Sequence, residues 1–166
     1  MKQTSGTFVV VALLLNAFFV AGCGGGGKAT VKPRPWNISI TKKTPATIEV
    51  DLIGVTELEK AAWEGYPIDE YWKPGDLRRA NADKLSLTNL VMNKAWDISE
   101  ADPQWKKWLS RGVTSVLIIA HLPGNFPPGP ADPRRVFVSL DKRAWKDKTI
   151  RFDVLDTEIR PLTPQR

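Results

Sequence analysis

A mainly β fold, an antiparallel two-sheet sandwich with two short inserted helices, is what this sequence predicts, and three observations carry that reading. Apolar and polar residues alternate with period two over several short segments, as strands with one face in a core and one in water do. Residues 113–120 form an almost unbroken apolar run rich in β-branched side chains, which suits a central strand covered on both faces. Helical signal is confined to two places, and the long crossover helices of a parallel α/β fold are missing.

In chain order, Ile38 and Ile40 alternate with Asn37, Ser39 and Thr41 and give the first strand. Ile48, Val50 and Leu52 alternate with Thr47, Glu49 and Asp51 and give the second, with Asp51 expected on its wet face. Thr56 with Glu59 three residues on is a capping box that opens a short helix over residues 57–64, before Gly65 and Pro67 stop it. Leu85 and Leu87 repeat the strand alternation. A second helix begins after Asp102, with Pro103 at its first position and Gly112 closing it, and Trp105, Trp108 and Leu109 on one face. The apolar run 113–120 is the middle of the fold. Val136, Val138 and Leu140, then Ile150, Phe152 and Val154, complete about six strands, which suit a sandwich or a partly open barrel.

The amino terminus is of a different kind. Lys2, the apolar residues 8–20 and the small residues Ala21 and Gly22 make a secretory signal that is removed and takes no part in the fold. The strongly apolar stretch is shorter than the roughly 20 residues that span a bilayer. Val20-Ala21-Gly22-Cys23 resembles the lipobox of bacterial lipoproteins, with Cys23 as the only cysteine in the chain. That resemblance implies cleavage before Cys23, a diacylglyceryl thioether on its sulfur and an acylated terminal amine. Each buried methylene contributes about 0.8 kcal/mol, so two or three acyl chains anchor durably. Residue 24 is Gly, where an aspartate commonly retains such lipoproteins at the inner membrane, and the resemblance therefore implies the outer membrane. The organisation expected is a signal peptide over 1–22, a lipidated flexible tether over 23–35 carrying four successive glycines, and a β-domain over 36–166.

Of the 24 basic side chains cleavage removes only Lys2, so the mature chain stays moderately basic against 18 acids. A single cysteine permits no disulfide within the chain, and a domain of this length buries enough surface to need none. Chemistry is sparsely signalled. His121 is the one histidine, which rules out a multi-histidine metal site, and no Gly-x-Ser-x-Gly motif accompanies it. The acid pairs Asp69 with Glu70, and Asp153 with Asp156 and Glu158, suit glycoside cleavage only if they converge in space; otherwise they are the wet faces of strands and turns. No Walker loop, Rossmann glycine pattern or calcium loop is present. No cofactor, no metal and no catalytic set is expected.

Binding is the better-supported class. Tryptophan is over-represented, with seven residues, and each serves as a core anchor or an interface anchor. Trp105 and Trp108 read as core. Trp72 and Trp145 lie in turn-like, charged settings and are the candidates for an exposed stacking platform. The loop 122–133 holds five prolines, which lower the entropy lost on docking, with Phe126 as a docking residue and Arg134 and Arg135 as a basic edge after it. Nucleic acid is disfavoured by an envelope location despite the basic balance.

A lipobox cysteine, a strand over 47–55 running into a short aromatic-bearing helix, the Pro74-Gly75 turn and an apolar strand over 115–120 followed by a loop together resemble the type VI secretion outer-membrane lipoprotein family. The likeness covers residues 47–155 in order and pattern. It implies a transthyretin-like β-sandwich whose loops bind an inner-membrane partner; the Pro-rich loop and the insertion around 102–111 depart from that pattern. The function expected is a non-catalytic, membrane-tethered periplasmic β-domain that binds another envelope protein. Its rivals are a module for cell-wall glycan or peptide and, less favoured, a hydrolase.

Overall fold

The computed structural model describes residues 31–166. The expected signal peptide, Cys23 and most of the expected tether lie outside the described residues. Within them the chain forms β1 (Asn37–Lys42), β2 (Val50–Thr56), α1 (Glu57–Glu64), α2 (Ile68–Tyr71), α3 (Leu77–Asn81), β3 (Lys84–Leu87), β4 (Ala95–Ile98), α4 (Pro103–Ser110), β5 (Val113–Ala120), β6 (Arg135–Ser139), β7 (Thr149–Val154) and β8 (Ile159–Pro161). The strands make two four-stranded sheets, ordered β4-β1-β7-β8 and β3-β2-β5-β6. The expected sandwich is present.

Three expectations need correcting. The sheets are not wholly antiparallel, since β1 and β7 pair in parallel with Ile38 opposite Ile150. Both strands are entered from the same end of the sandwich, and nearly the whole domain lies between them in sequence, so no dedicated crossover helix is required. Four helices are present where two were predicted: α2 and α3 have only four and five residues, among Pro67, Pro74 and Gly75, too short for a helical period to be read. Finally, Asp51 is fully buried, because α1 to α3 cover the outer face of β2 and β5. Strands β4 and β8 were also missed, being short and mostly exposed edges.

The molecule therefore has three layers and two apolar cores. Between the sheets, Ile38 and Ile40 from β1, Val50 and Leu52 from β2, Val116 and Ile118 from β5, and Ile150 and Phe152 from β7 pack with Trp36, Trp105, Trp108 and Trp145. Each such buried side chain stabilises by about 1.5–3 kcal/mol. On the outer face of the second sheet, Ile53, Val55, Leu117 and Ile119 meet Trp63, Ile68, Tyr71 and Trp72 from the helices. Period two explains the division: alternate residues of β2 and β5 face alternate cores.

The predicted helix starts are seen in detail. Thr56 Oγ1 accepts the Glu59 amide at 3.3 Å while Glu59 Oε2 accepts the Thr56 amide at 2.9 Å, completing the capping box of α1. Asp102 caps α4 through the Gln104 amide, and Gly112 beyond its end takes φ +78°. Helix α4 inserts Trp108 flat against β2, where a Cβ on Gly54 would stand 2.4 Å from Trp108 Cδ1. Glycine is required there by close approach.

Strand direction sorts every connection to one of two poles. At the first, residues 32–36 enter beside the β6–β7 connection: the Lys142 amide donates to Lys32 O at 3.0 Å and the Arg34 amide to Leu140 O at 3.0 Å. This is the anchor pole, and the chain is already paired here at residues the sequence assigns to the tether. At the second, the loop pole, lie residues 43–49, 88–94, 121–134 and 155–158.

Candidate partner-binding surface

At the loop pole the predicted site residues serve first as a clamp. Arg134 is buried, with Nε 3.0 Å and Nη2 2.7 Å from the carboxylate of buried Asp132, and Nη1 2.5 Å from Asp69 on α2. Its guanidinium lies 4.5 Å over the Phe126 ring. Burial alone would weaken its charge, but the two carboxylates outweigh that and raise its pKa above the ordinary arginine range. In return, the hydrogen bond from Arg134 holds the Asp69 carboxyl below the usual range. Arg135 is also buried: Nη1 donates to Trp63 O and Nη2 to Gly129 O, both at 2.6 Å, and burial lowers its pKa. The two arginines are not an exposed basic edge. They tie the Pro-rich loop to the helical layer, because a long loop without secondary structure leaves carbonyls and carboxylates that need donors.

Trp72 is only 8% exposed and stacks at 4.8 Å and 12° on His121, with the Arg79 guanidinium 4.1 Å from its ring. Arg79 in turn donates to Asp51 at 3.0 Å and Glu49 at 2.6 Å, and Tyr71 Oη donates to Asp51 at 2.7 Å. Burial, together with the Asp51 carboxylate, raises the Tyr71 pKa. Asp51, placed under the helices, is thus answered by a phenol and a guanidinium. The imidazole of His121 stays exposed beside a cleft of about 380 Å³ lined by Asp69, Trp72, Lys73, Gly124 and Arg134 among others.

Trp145 does not join this group. It is 2% exposed, lies at the anchor pole, packs in the inter-sheet core and donates Nε1 to Ser139 O at 2.8 Å. The exposed stacking platform expected of Trp72 and Trp145 is absent, because each setting that reads as a charged turn in sequence is folded over its own indole. Of the five residues proposed to bind a partner, Phe126 is the one left half-buried rather than buried. Trp72, Phe126, Arg134 and Arg135 are brought together, while Trp145 stands apart.

Asp69 is held by Arg134, Glu158 by Arg160, and Asp156 accepts from Thr44 Oγ1. The lining of the cleft beside His121 includes no hydroxyl or thiol to serve as nucleophile. Among the described residues no group of three or more His, Cys, Asp or Glu is gathered to hold a metal.

Sequence reasoning missed the most exposed apolar feature of the loop pole. In the 88–94 loop joining the two sheets, Val91 is 60% and Met92 47% exposed, and Leu90 packs half-buried against the core. Asn93, at φ 60°, turns the chain and donates its amide to Lys42 O at 2.8 Å. The signal was legible: Leu90-Val91-Met92 is an apolar triplet between two short strands, and one side of it has nothing to pack against.

The described residues thus form a two-sheet sandwich faced with short helices, with its loops clamped at one end. No protein-family model matches the chain, and no curated protein matches it. Among solved structures, a chain of a "Type VI membrane complex" shares this fold at a TM-score of 0.55 and 8% identity, covering 79% of this chain and 99% of that one. The Serratia marcescens Lip, a membrane bound component of the type VI secretion system, aligns at TM-score 0.45 and 11% identity over 78% of this chain and 99% of its own. A type VI secretion lipoprotein from Pseudomonas aeruginosa gives 0.42 and 11% over 80% and 98%. The likeness in fold to a chain of a type VI membrane complex agrees with the resemblance seen in the sequence.

Proposed function

We propose that this chain is an outer-membrane lipoprotein of a type VI secretion membrane complex, non-catalytic, held by acyl chains on Cys23 and facing the periplasm, where its loop pole binds another envelope protein. The observation that carries the reading is a coincidence: a lipobox cysteine precedes a sandwich that accounts for 99% of a chain solved in a type VI membrane complex. The clamped Pro-rich loop and the exposed Val91 and Met92 supply a stiff apolar surface with little ordering entropy left to lose on binding. Burial of Trp72 and Trp145 takes away the platform on which a glycan module would rely. Photocrosslinkers placed at Val91 and at Phe126 in the lipidated chain should capture one and the same envelope protein, identified by mass spectrometry. Capture of no protein, with saturable binding of the chain to peptidoglycan, would overturn the proposal.

A further inference from the structure

We infer that the anchor pole is a basic platform that docks on anionic phospholipid head groups of the leaflet holding the anchor, fixing the domain upright with its loops pointing away. The inference rests on the lipid anchor at Cys23 proposed above and adds a second, electrostatic contact to it. Where residues 32–36 enter the fold, Lys32 and Arg34 pair with the β6–β7 connection, the Lys142 amide donating to Lys32 O and the Arg34 amide to Leu140 O, and that connection also carries Arg143, Lys146 and Lys148 at the same pole. Asp141 and Asp147 are the acids of the same segments; the Asp141 carboxylate is engaged by Arg143 at 2.6 Å and Asp147 stands 3.9 Å from Arg151. Among the described residues Lys32, Lys142, Lys146 and Lys148 enter no ion pair, and all four are exposed. Glu100 and Asp102 belong to the same pole but follow β4, at the far edge of the first sheet, and Asp102 is engaged in capping α4.

The array is held stiffly. Buried Trp145 fixes the connection to the core, its backbone bridges to Gln165, and Pro33 bridges to Asp141. Arg34 lies 3.8 Å over the Trp36 ring, and its Nε is buried with no partner among the described residues. Lys32 follows Cys23 by nine positions, a covalent reach of at most about 30 Å. The platform is therefore confined near the bilayer, where each basic residue close to an anionic surface is attracted severalfold over bulk. The loop pole lacks such an excess, because Arg79, Arg134 and Arg160 are each matched to carboxylates.

The test uses the full lipidated chain in vesicles of phosphatidylcholine, alone or with phosphatidylglycerol added to about one third, and reads lysine acetylation rates by mass spectrometry. Acetylation of Lys142, Lys146 and Lys148 should slow at least about fivefold on the anionic vesicles. Lys43 and Lys94 at the loop pole should not change, and 1 M salt should abolish the difference, since it shortens the screening length to about 3 Å. Equal rates at Lys142, Lys146 and Lys148 on both vesicles, with the chain floating on both, would overturn the platform and leave the anchor standing. A chain that floats on neither sinks both. A triple variant K142E/K146E/K148E should float normally and lose the protection of Lys32, whereas protection that survives in the variant would also overturn the platform.

Discussion

The two poles of the sandwich use the same residue types for opposite ends. At the loop pole arginines are matched, two of them buried and one half-buried: Arg134 to Asp132 and Asp69, Arg135 to backbone carbonyls, and half-buried Arg79 to Asp51 and Glu49. At the anchor pole the tryptophans are buried, and the lysines Lys32, Lys142, Lys146 and Lys148 are left in solvent. The difference teaches where a charge is structural and where it is available. A buried guanidinium that answers a buried carboxylate holds a loop in place, and it binds a partner only through what it positions. A lysine on a rigid connection that enters no ion pair is free to meet an outside charge.

The largest expected effect breaks the contrast at its origin. Cys23→Ser removes the proposed acyl anchor, and in 1 M salt, where electrostatic docking is screened, the domain should move wholly from the membrane to the soluble fraction with an unchanged melting temperature. Retention in the membrane would mean that the first mature residue has been misread. Next in size is Arg134→Met, which leaves Asp132 buried without its cation and should cost about 3–5 kcal/mol, read as a shift in denaturant midpoint. Lys148→Met at the anchor pole should leave the midpoint where it is. A comparable loss in both would mean the poles do not differ as described.

Acid should act through a matched carboxylate at each pole, Asp69 beside the loop pole and Asp83 just before β3 at the anchor pole. The carboxyls of Asp69 and of Asp83, which meets Lys107 and Arg111, both have pKa values lowered in the fold, although burial opposes the shift in Asp83. A lowered pKa means that the folded state binds fewer protons than the unfolded chain. The stability these groups contribute is then present above about pH 4, the unfolded carboxyl value, and is lost as pH falls through the folded ones. Asp69→Asn should flatten part of the decline in denaturant midpoint between pH 4 and 2. If the variant follows the parent slope, the Arg134 clamp does not depend on that carboxylate.

What could be read in the sequence follows the physics of each signal. The capping box at Thr56 and the Asp102-Pro103 start are short-range and were legible to the residue. The run 113–120 is unambiguous because a strand covered on both faces has no polar alternation to obscure it. Asp51 misleads for the complementary reason: alternation marks a second environment for the outer face, and here that environment is a helical layer, with Tyr71 and Arg79 brought from 20 and 28 residues away. The same distance effect hides the arginine clamp and the fate of Trp72 and Trp145. An indole among charges reads as exposed until the chain that covers it is in place.

The smallest effect on stability carries the sharpest test of the loop pole. Val91 and Met92 are exposed at the tip of a loop that joins the two sheets, and neither appears among the buried residues of the two cores. Replacing Met92 with Asp removes no packed atom from the folded state, so its cost should stay within about 0.5 kcal/mol. An apolar side chain that enters a partner's pocket behaves differently, because the charge must be desolvated on binding, and a central interface residue is worth about 2 kcal/mol or more. Met92→Asp should therefore leave thermal unfolding unchanged and reduce capture of the envelope partner at least about tenfold in a titrated pull-down. Leu58→Asp, on α1 and almost wholly exposed away from the loop pole, is the matched control and should leave capture intact. If instead Leu58→Asp abolishes capture and Met92→Asp does not, the binding surface belongs to the helical face.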